Sequence, residues 1–121
     1  MYEEDFVTEE AIELDIEGKK FKYKPTTAGE ENDWLNEYME QKDGKPFINA
    51  SKLNRLKLQN VVGVPYDKEL IKKITGIDKE WKDMNKDERW SLFSKLKSSV
   101  FDKLITAIAK YDSGTGDEKK N

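Results

Sequence analysis

The stretch AIELDIEGKKFKYKP, residues 11–25, limits the possible folds more than any other part of the chain. Ile12, Leu14 and Ile16 alternate with Glu13, Asp15 and Glu17; beyond Gly18, Phe21 and Tyr23 alternate with Lys20, Lys22 and Lys24. A period of two sends successive side chains to opposite faces of an extended strand, so each half has one apolar and one charged face. The two halves predict an antiparallel hairpin whose outer face sets acids against lysines. A two-residue loop at Gly18-Lys19 pairs Ile16 with Phe21 and Leu14 with Tyr23, and a loop at Glu17-Gly18 gives a pairing of the same parity. Either keeps the apolar face together, whereas a slip by one residue would expose it. A two-stranded ribbon is marginal alone in water, so the rest of the chain has to cover it.

That remainder reads mostly as helix. Pro25 ends the ribbon, and Thr27 followed three residues later by Glu30 has the form of a capping box. Trp34, Leu35, Tyr38 and Met39 fall on one face of the helix that follows, which Asp43-Gly44 and Pro46 stop. A second helix, capped by Asn49 or Ser51, carries Leu53, Leu56, Leu58, Val61 and Val62 over more than half of its circumference and needs contacts on most sides. Gly63 and Pro65 break its ladder, and Val61, Val62 and Val64 pack as an apolar plug. Asp67 caps a short helix with Leu70, Ile71 and Ile74, closed by Gly76. Asn85 with Glu88, and Ser99 with Asp102, fit the cap-x-x-acid pattern and start two more helices. One carries Trp90, Phe93 and Leu96, the other Phe101, Leu104, Ile105 and Ile108. The expected fold is α+β, mostly α: an N-terminal β-hairpin and four or five short helices packed in a single domain over residues 1–112. Residues 1–10 form an acidic lead, and 113–121, without periodicity or large side chains, read as a disordered tail.

The chain has 121 residues with neither Cys nor His. That removes disulfides, thiolate nucleophiles, histidine bases and the commonest metal ligand. No Gly-rich phosphate loop of the GxGxxG or GxxxxGK[ST] form occurs. Carboxylates remain, as the pairs Glu9-Glu10, Glu30-Glu31 and Asp87-Glu88, but acids at helix starts more often serve the helix dipole. The expectation is a protein that is not an enzyme and uses no cofactor and no metal.

A formal net charge of −3 hides an uneven distribution. Residues 1–44 hold 14 acids and 5 bases, whereas residues 45–97 hold 13 bases and 7 acids. The basic middle allows an alternative reading as a nucleic-acid-binding module that uses segment 52–97, with Lys52, Arg55, Lys57, Lys68, Lys72, Lys73 and the region of Trp81 meeting phosphates and bases. Only two Arg occur, and Lys72-Lys73 and Lys79 are interleaved with Glu69, Asp78, Glu80 and Asp83. Nucleic acid therefore ranks below a protein partner. No apolar run approaches the roughly 18–20 residues that cross a bilayer. The start MYEEDFVTEE is acidic where a targeting peptide is basic. No membrane association is expected, and the expected location is the cytoplasm.

Three Trp, five Tyr and five Phe are more than so short a chain can hide completely. Trp34, Trp81, Trp90, Phe93 and Phe101, at helical spacing, read first as core. Exposed side chains clustered with Val61–Tyr66 would form a patch of the size that marks a protein-protein site. The candidate partner-binding residues are Leu58, Val61, Val62, Val64, Tyr66 and Trp81. Two readings of KLNRLKLQNVVGVPY, residues 52–66, stay open: a groove or plug for partner helices, or the centre of the core.

The order of elements carries a resemblance. The ribbon IELDIEGKKFKYKP, then TTAGEENDWLNEYM, then a helix running into VVGVPYDKELI, then EWKDMNKDERWSLFSKLKSSVFDKLITAIAK, resembles small phage or prophage proteins encoded among tail genes, in particular tail-assembly chaperones. It spans residues 11–111, and no functional position is carried over from it. The resemblance implies an accessory factor in the host cytoplasm that shields apolar helices of a long tail protein until the tube assembles. Helical segments of such a tail protein are the expected partner, with self-association also open.

Overall fold

The computed structural model describes residues 2, 6, 7 and 10–113. Expectations for the rest of the acidic lead and for residues 114–121 fall outside them. Strands β1 (Ile12–Ile16) and β2 (Lys19–Tyr23) are followed by helix α1 (Ala28–Tyr38), strands β3 (Met39–Lys42) and β4 (Lys45–Ile48), and helix α2 (Ala50–Lys57). A 3₁₀ turn, Leu58–Asn60, leads into β5 (Val61–Gly63), and helices α3 (Lys68–Thr75), α4 (Lys86–Phe93) and α5 (Ser98–Asp112) complete the chain. The fold is α+β and mostly helical, with the N-terminal hairpin in place.

The first hairpin adopts the Glu17-Gly18 loop, with Leu14 opposite Phe21 and Ile12 opposite Tyr23. Glu17 and Gly18 both have positive φ, 56° and 83°, the backbone of a two-residue turn whose twist matches that of the strands. Asp15 secures it, accepting from Gly18 N–H at 2.8 Å and from Lys20 Nζ at 2.5 Å.

Two expectations about the middle of the chain are corrected. The second helix stops at Lys57, and Val61–Gly63 is a third strand, giving an antiparallel sheet in the order β1-β2-β5 with a bulge at Lys22/Tyr23. β-branched valines before a glycine fit an extended edge better than a last helical turn. Asp43-Gly44 does more than stop α1. With φ of 55° and 77° it turns a second hairpin, β3–β4, in which Met39 is the first strand residue and Pro46 lies opposite Gln41. Asp-Gly is among the strongest signals for such a turn.

The caps follow the sequence with one exception. Thr27–Glu30 and Asn85–Glu88 form complete capping boxes, Asn49 rather than Ser51 caps α2, Asp67 caps α3, and Gly76 closes α3 at φ 79°. Ser99 is not a cap: α5 begins two residues earlier than that cap implies, at Ser98 after Lys97, with no side-chain hydrogen bond at its start.

The apolar face of the sheet, with Leu14, Ile16, Phe21, Tyr23 and Val61, is the floor of the core. Over it lie Leu104 and Ile108 of α5, Leu92 and Phe93 of α4, Ile71 of α3, and Trp81 and Met84 from the α3–α4 connection. Trp90 and Phe101 are half-buried at its margin, edge to face at 6.1 Å, whereas Trp34 is half-buried on α1.

One end of the sheet is fastened by a buried polar knot. Lys57 Nζ lies 3.0 Å from Asp112 Oδ2, and both side chains are buried. Tyr23 hydroxyl donates to the same oxygen at 2.6 Å and bonds with Thr26 Oγ1, while Thr26 N–H reaches Asp112 Oδ1 at 3.3 Å. Burial first, and then the Asp112 carboxylate, push the Tyr23 phenol far above its ordinary range, so it stays a donor. Among the described residues no buried side-chain polar atom lacks a partner. None of the described helices is long and apolar enough to cross a membrane.

Candidate functional site

The six candidate residues separate. Leu58, Val61 and Trp81 belong to the core. Trp81 Nε1–H donates to Val61 O at 3.0 Å, and Arg89 donates from Nη2 and Nε to Trp81 O at 2.9 and 3.2 Å with its guanidinium 4.9 Å from the Trp81 ring. Burial draws the Arg89 pKa down. This knot ties β5 to the α3–α4 connection and spends three of its groups on folding. Val62, next along the strand, points the other way: it is 42% exposed while Val61 is fully covered. Val64 is half-buried against the core. Tyr66 reaches a surface groove, its ring edge-on to Phe21 at 5.9 Å, and Leu58 touches a second, smaller cavity. Partial burial, then Glu17, raise its phenol pKa.

That groove is a cavity of about 460 Å³ bounded by α3, the α4–α5 junction and the first hairpin turn. Its apolar wall comes from Tyr66, Leu70, Ile74, Leu92, Leu96 and Val100. On α3 the apolar residues 70, 71 and 74 cover a wider arc than one contact can bury. Ile71 takes the core-facing position, and Leu70 and Ile74, one turn apart, are left 41% exposed. Lys19, Lys95, Lys97 and Glu17 stand at the rim. The Glu17 carboxylate is held by Lys103 Nζ at 2.6 Å and lies 3.6 Å from Lys19; Lys103 first keeps its pKa below the ordinary value. Lys95 and Lys97 form no ion pair among the described residues. The groove thus combines an apolar wall with a basic rim, which suits apolar side chains flanked by acids.

Several lysines of the basic middle are engaged in ion pairs, while Lys52, Arg55, Lys86 and Arg89 come together around one cavity. Lys52 pairs with Glu40, Lys57 is buried on Asp112, Lys68 and Lys72 share Asp78, and Lys79 pairs with Glu88. Arg55 lies 4.1 Å over the Trp90 ring at the mouth of a smaller cavity of about 210 Å³ between α2 and α4. Among the acids considered for catalysis, Glu30 and Glu88 close capping boxes. No group of three or more acids placed to hold a metal ion occurs among the described residues.

No protein family, curated protein or solved structure matches this chain. Of the apolar groove residues, Leu70, Ile74 and Leu96 read from the sequence as apolar positions of their helices, and Leu92 and Val100 carry no separate signal there. The one available signal was the over-wide apolar arc of α3, next to the lysines of SKLKSS, residues 94–99.

Proposed function

We propose that this chain is a non-enzymatic protein-binding factor whose groove receives an apolar helical segment with acidic flanks from a partner protein. One observation carries the reading: Leu70 and Ile74, half-exposed one turn apart, share a groove with Leu92, Leu96 and Val100 and with Lys95 and Lys97, which have no ion pair among the described residues. A partner helix read through anchors at i, i+3 or i+4 and i+7 fits such a surface. In its fuller form, which rests on the resemblance to tail-assembly chaperones, the partner is an apolar helix of a phage tail protein, shielded in the host cytoplasm until the tail tube closes over it.

The test uses two synthetic helical peptides with the same leucine stripe, one flanked by Glu and one by Lys, titrated against the full chain. The acidic peptide is expected to bind more tightly, with affinity falling as salt rises. The double variant Leu70→Glu/Ile74→Glu is expected to lose about tenfold or more in affinity without a lower melting temperature. Failure of both peptides to bind, or unchanged binding by the double variant, would remove the groove from consideration.

A further inference from the structure

The β3–β4 ribbon carries two costs that one copy of the chain leaves standing. Lys42 and Lys45 face each other at its tip, a like-charge pair that destabilises a ladder, and neither has an ion pair among the described residues. The ribbon is also poorly covered, with Phe47 40% and Ile48 57% exposed and no further strand beside it among the described residues. A two-stranded sheet in that condition is marginal in water.

Its two edges are not equivalent. Asn49 N–H donates to Tyr38 O at 2.7 Å, which fixes the alternation of the ladder: 38/49, 40/47 and 42/45 exchange hydrogen bonds, and 39/48 and 41/46 turn their backbone groups outward. The outward positions on β4 are Pro46, which has no N–H, and Ile48, which is followed at once by the N-cap of α2, so that edge offers a pairing strand little length. On β3 the Met39 N–H is spent on Leu35 O at the end of α1. Gln41, exposed, is left to present both a donor and an acceptor outward.

We propose that two copies of this chain pair antiparallel through β3, Gln41 opposite the partner's Gln41, to form a four-stranded sheet in the order β4-β3-β3-β4. In this register Lys42 stands opposite the partner's Glu40, and Glu40 opposite the partner's Lys42. The excess positive charge at each tip acquires an acidic neighbour twice over. Glu40 uses Oε2 for both Lys52 and Asn49, so Oε1 is the oxygen that meets the incoming lysine. Moving the register by two residues sets Glu40 against the partner's Glu40 in one direction and Lys42 against the partner's Lys42 in the other. Charge therefore selects this alignment. This surface lies on other elements than the groove, and the proposal stands independently of it.

Sedimentation equilibrium of the full chain over a concentration series tests it. The expected result is a reversible monomer–dimer equilibrium that weakens with salt. Gln41→Pro removes only an outward N–H, as Pro46 does on β4, and is expected to weaken dimerisation about tenfold or more with an unchanged melting temperature. Lys42→Glu and Glu40→Lys are each expected to weaken self-association, and a mixture of the two to recover it as a heterodimer, because both charge contacts are then restored. A chain monomeric throughout the series, a dimer indifferent to both Gln41→Pro and Lys42→Glu, or no recovery in the mixture would each overturn the proposal.

Discussion

The two hairpins close with the same kind of turn and then diverge. Glu17-Gly18 and Asp43-Gly44 have nearly identical positive φ pairs, yet β1–β2 forms the floor of the core while every residue of β4 is exposed. Turn chemistry explains why each hairpin forms; it does not explain where each one goes. That depends on the strands. IELDI and KKFKY put all their large apolar groups on one face, whereas MEQK and KPFI place Met39 and Ile48 on one side and Phe47, among Glu40, Lys42 and Lys45, on the other. The second ribbon divides its apolar groups between its faces, with Met39, Pro46 and Ile48 on one and Phe47 on the other, and no large aromatic or leucine joins the first three.

The contrast can be broken most severely at Val61, which pairs with Tyr23. Val61→Asp places an unpaired charge in the core and is expected to cost about 4 kcal/mol or more, a large share of the stability of a small domain. Val62→Asp, one residue on, is expected to cost no more than about 1 kcal/mol. Equal melting curves for the two would mean that β5 does not alternate as described. Next comes ring removal. Phe21→Ala should destabilise by about 3–5 kcal/mol in urea titration, and Phe47→Ala by less than about 1 kcal/mol.

Tyr23→Phe takes one donor from the buried Asp112 and is expected to cost about 1–2 kcal/mol at neutral pH. It should also change the alkaline limb. Because the folded-state pKa of Tyr23 is raised, its contribution is complete below the unfolded value near 10 and is lost as pH climbs above that value. The native chain should therefore lose stability above about pH 10 by a margin that Tyr23→Phe abolishes, as thermal melts across that range would reveal. Comparably small effects belong to the turns. Gly18→Ala and Gly44→Ala meet no neighbouring atom within 4 Å, so each costs only the strain of a positive φ, about 1 kcal/mol. Gly18→Ala should lower the global midpoint, whereas Gly44→Ala should speed hydrogen exchange at Lys42 and Lys45 and leave the midpoint in place.

The same contrast explains how much of the molecule was legible. The first hairpin, the capping boxes at Thr27 and Asn85 and the caps at Asp67 and Gly76 are local, and local patterns predict them. The second hairpin was hidden because MEQKDGKPFI lacks a period of two, and Pro46 argues against a strand unless its edge is known to face outward. Val61–Gly63 was too short to declare itself: it is a strand because β2 lies beside it, a tertiary fact. The groove was least visible, since only the assembled fold decides that Ile71, and not Leu70 or Ile74, turns inward.

Lys24 N–H donates to Asn60 O at 2.7 Å. The chain therefore departs from the three-stranded sheet and rejoins it at neighbouring points, and what lies between is an excursion with nearly touching ends. Lengthening such a loop twofold costs only about 0.6 kcal/mol of closure entropy. Provided Leu56, Lys57 and Leu58 keep their seats, the Asp43-Gly44 tip is a place where foreign sequence can be spliced in while the sheet keeps its own path.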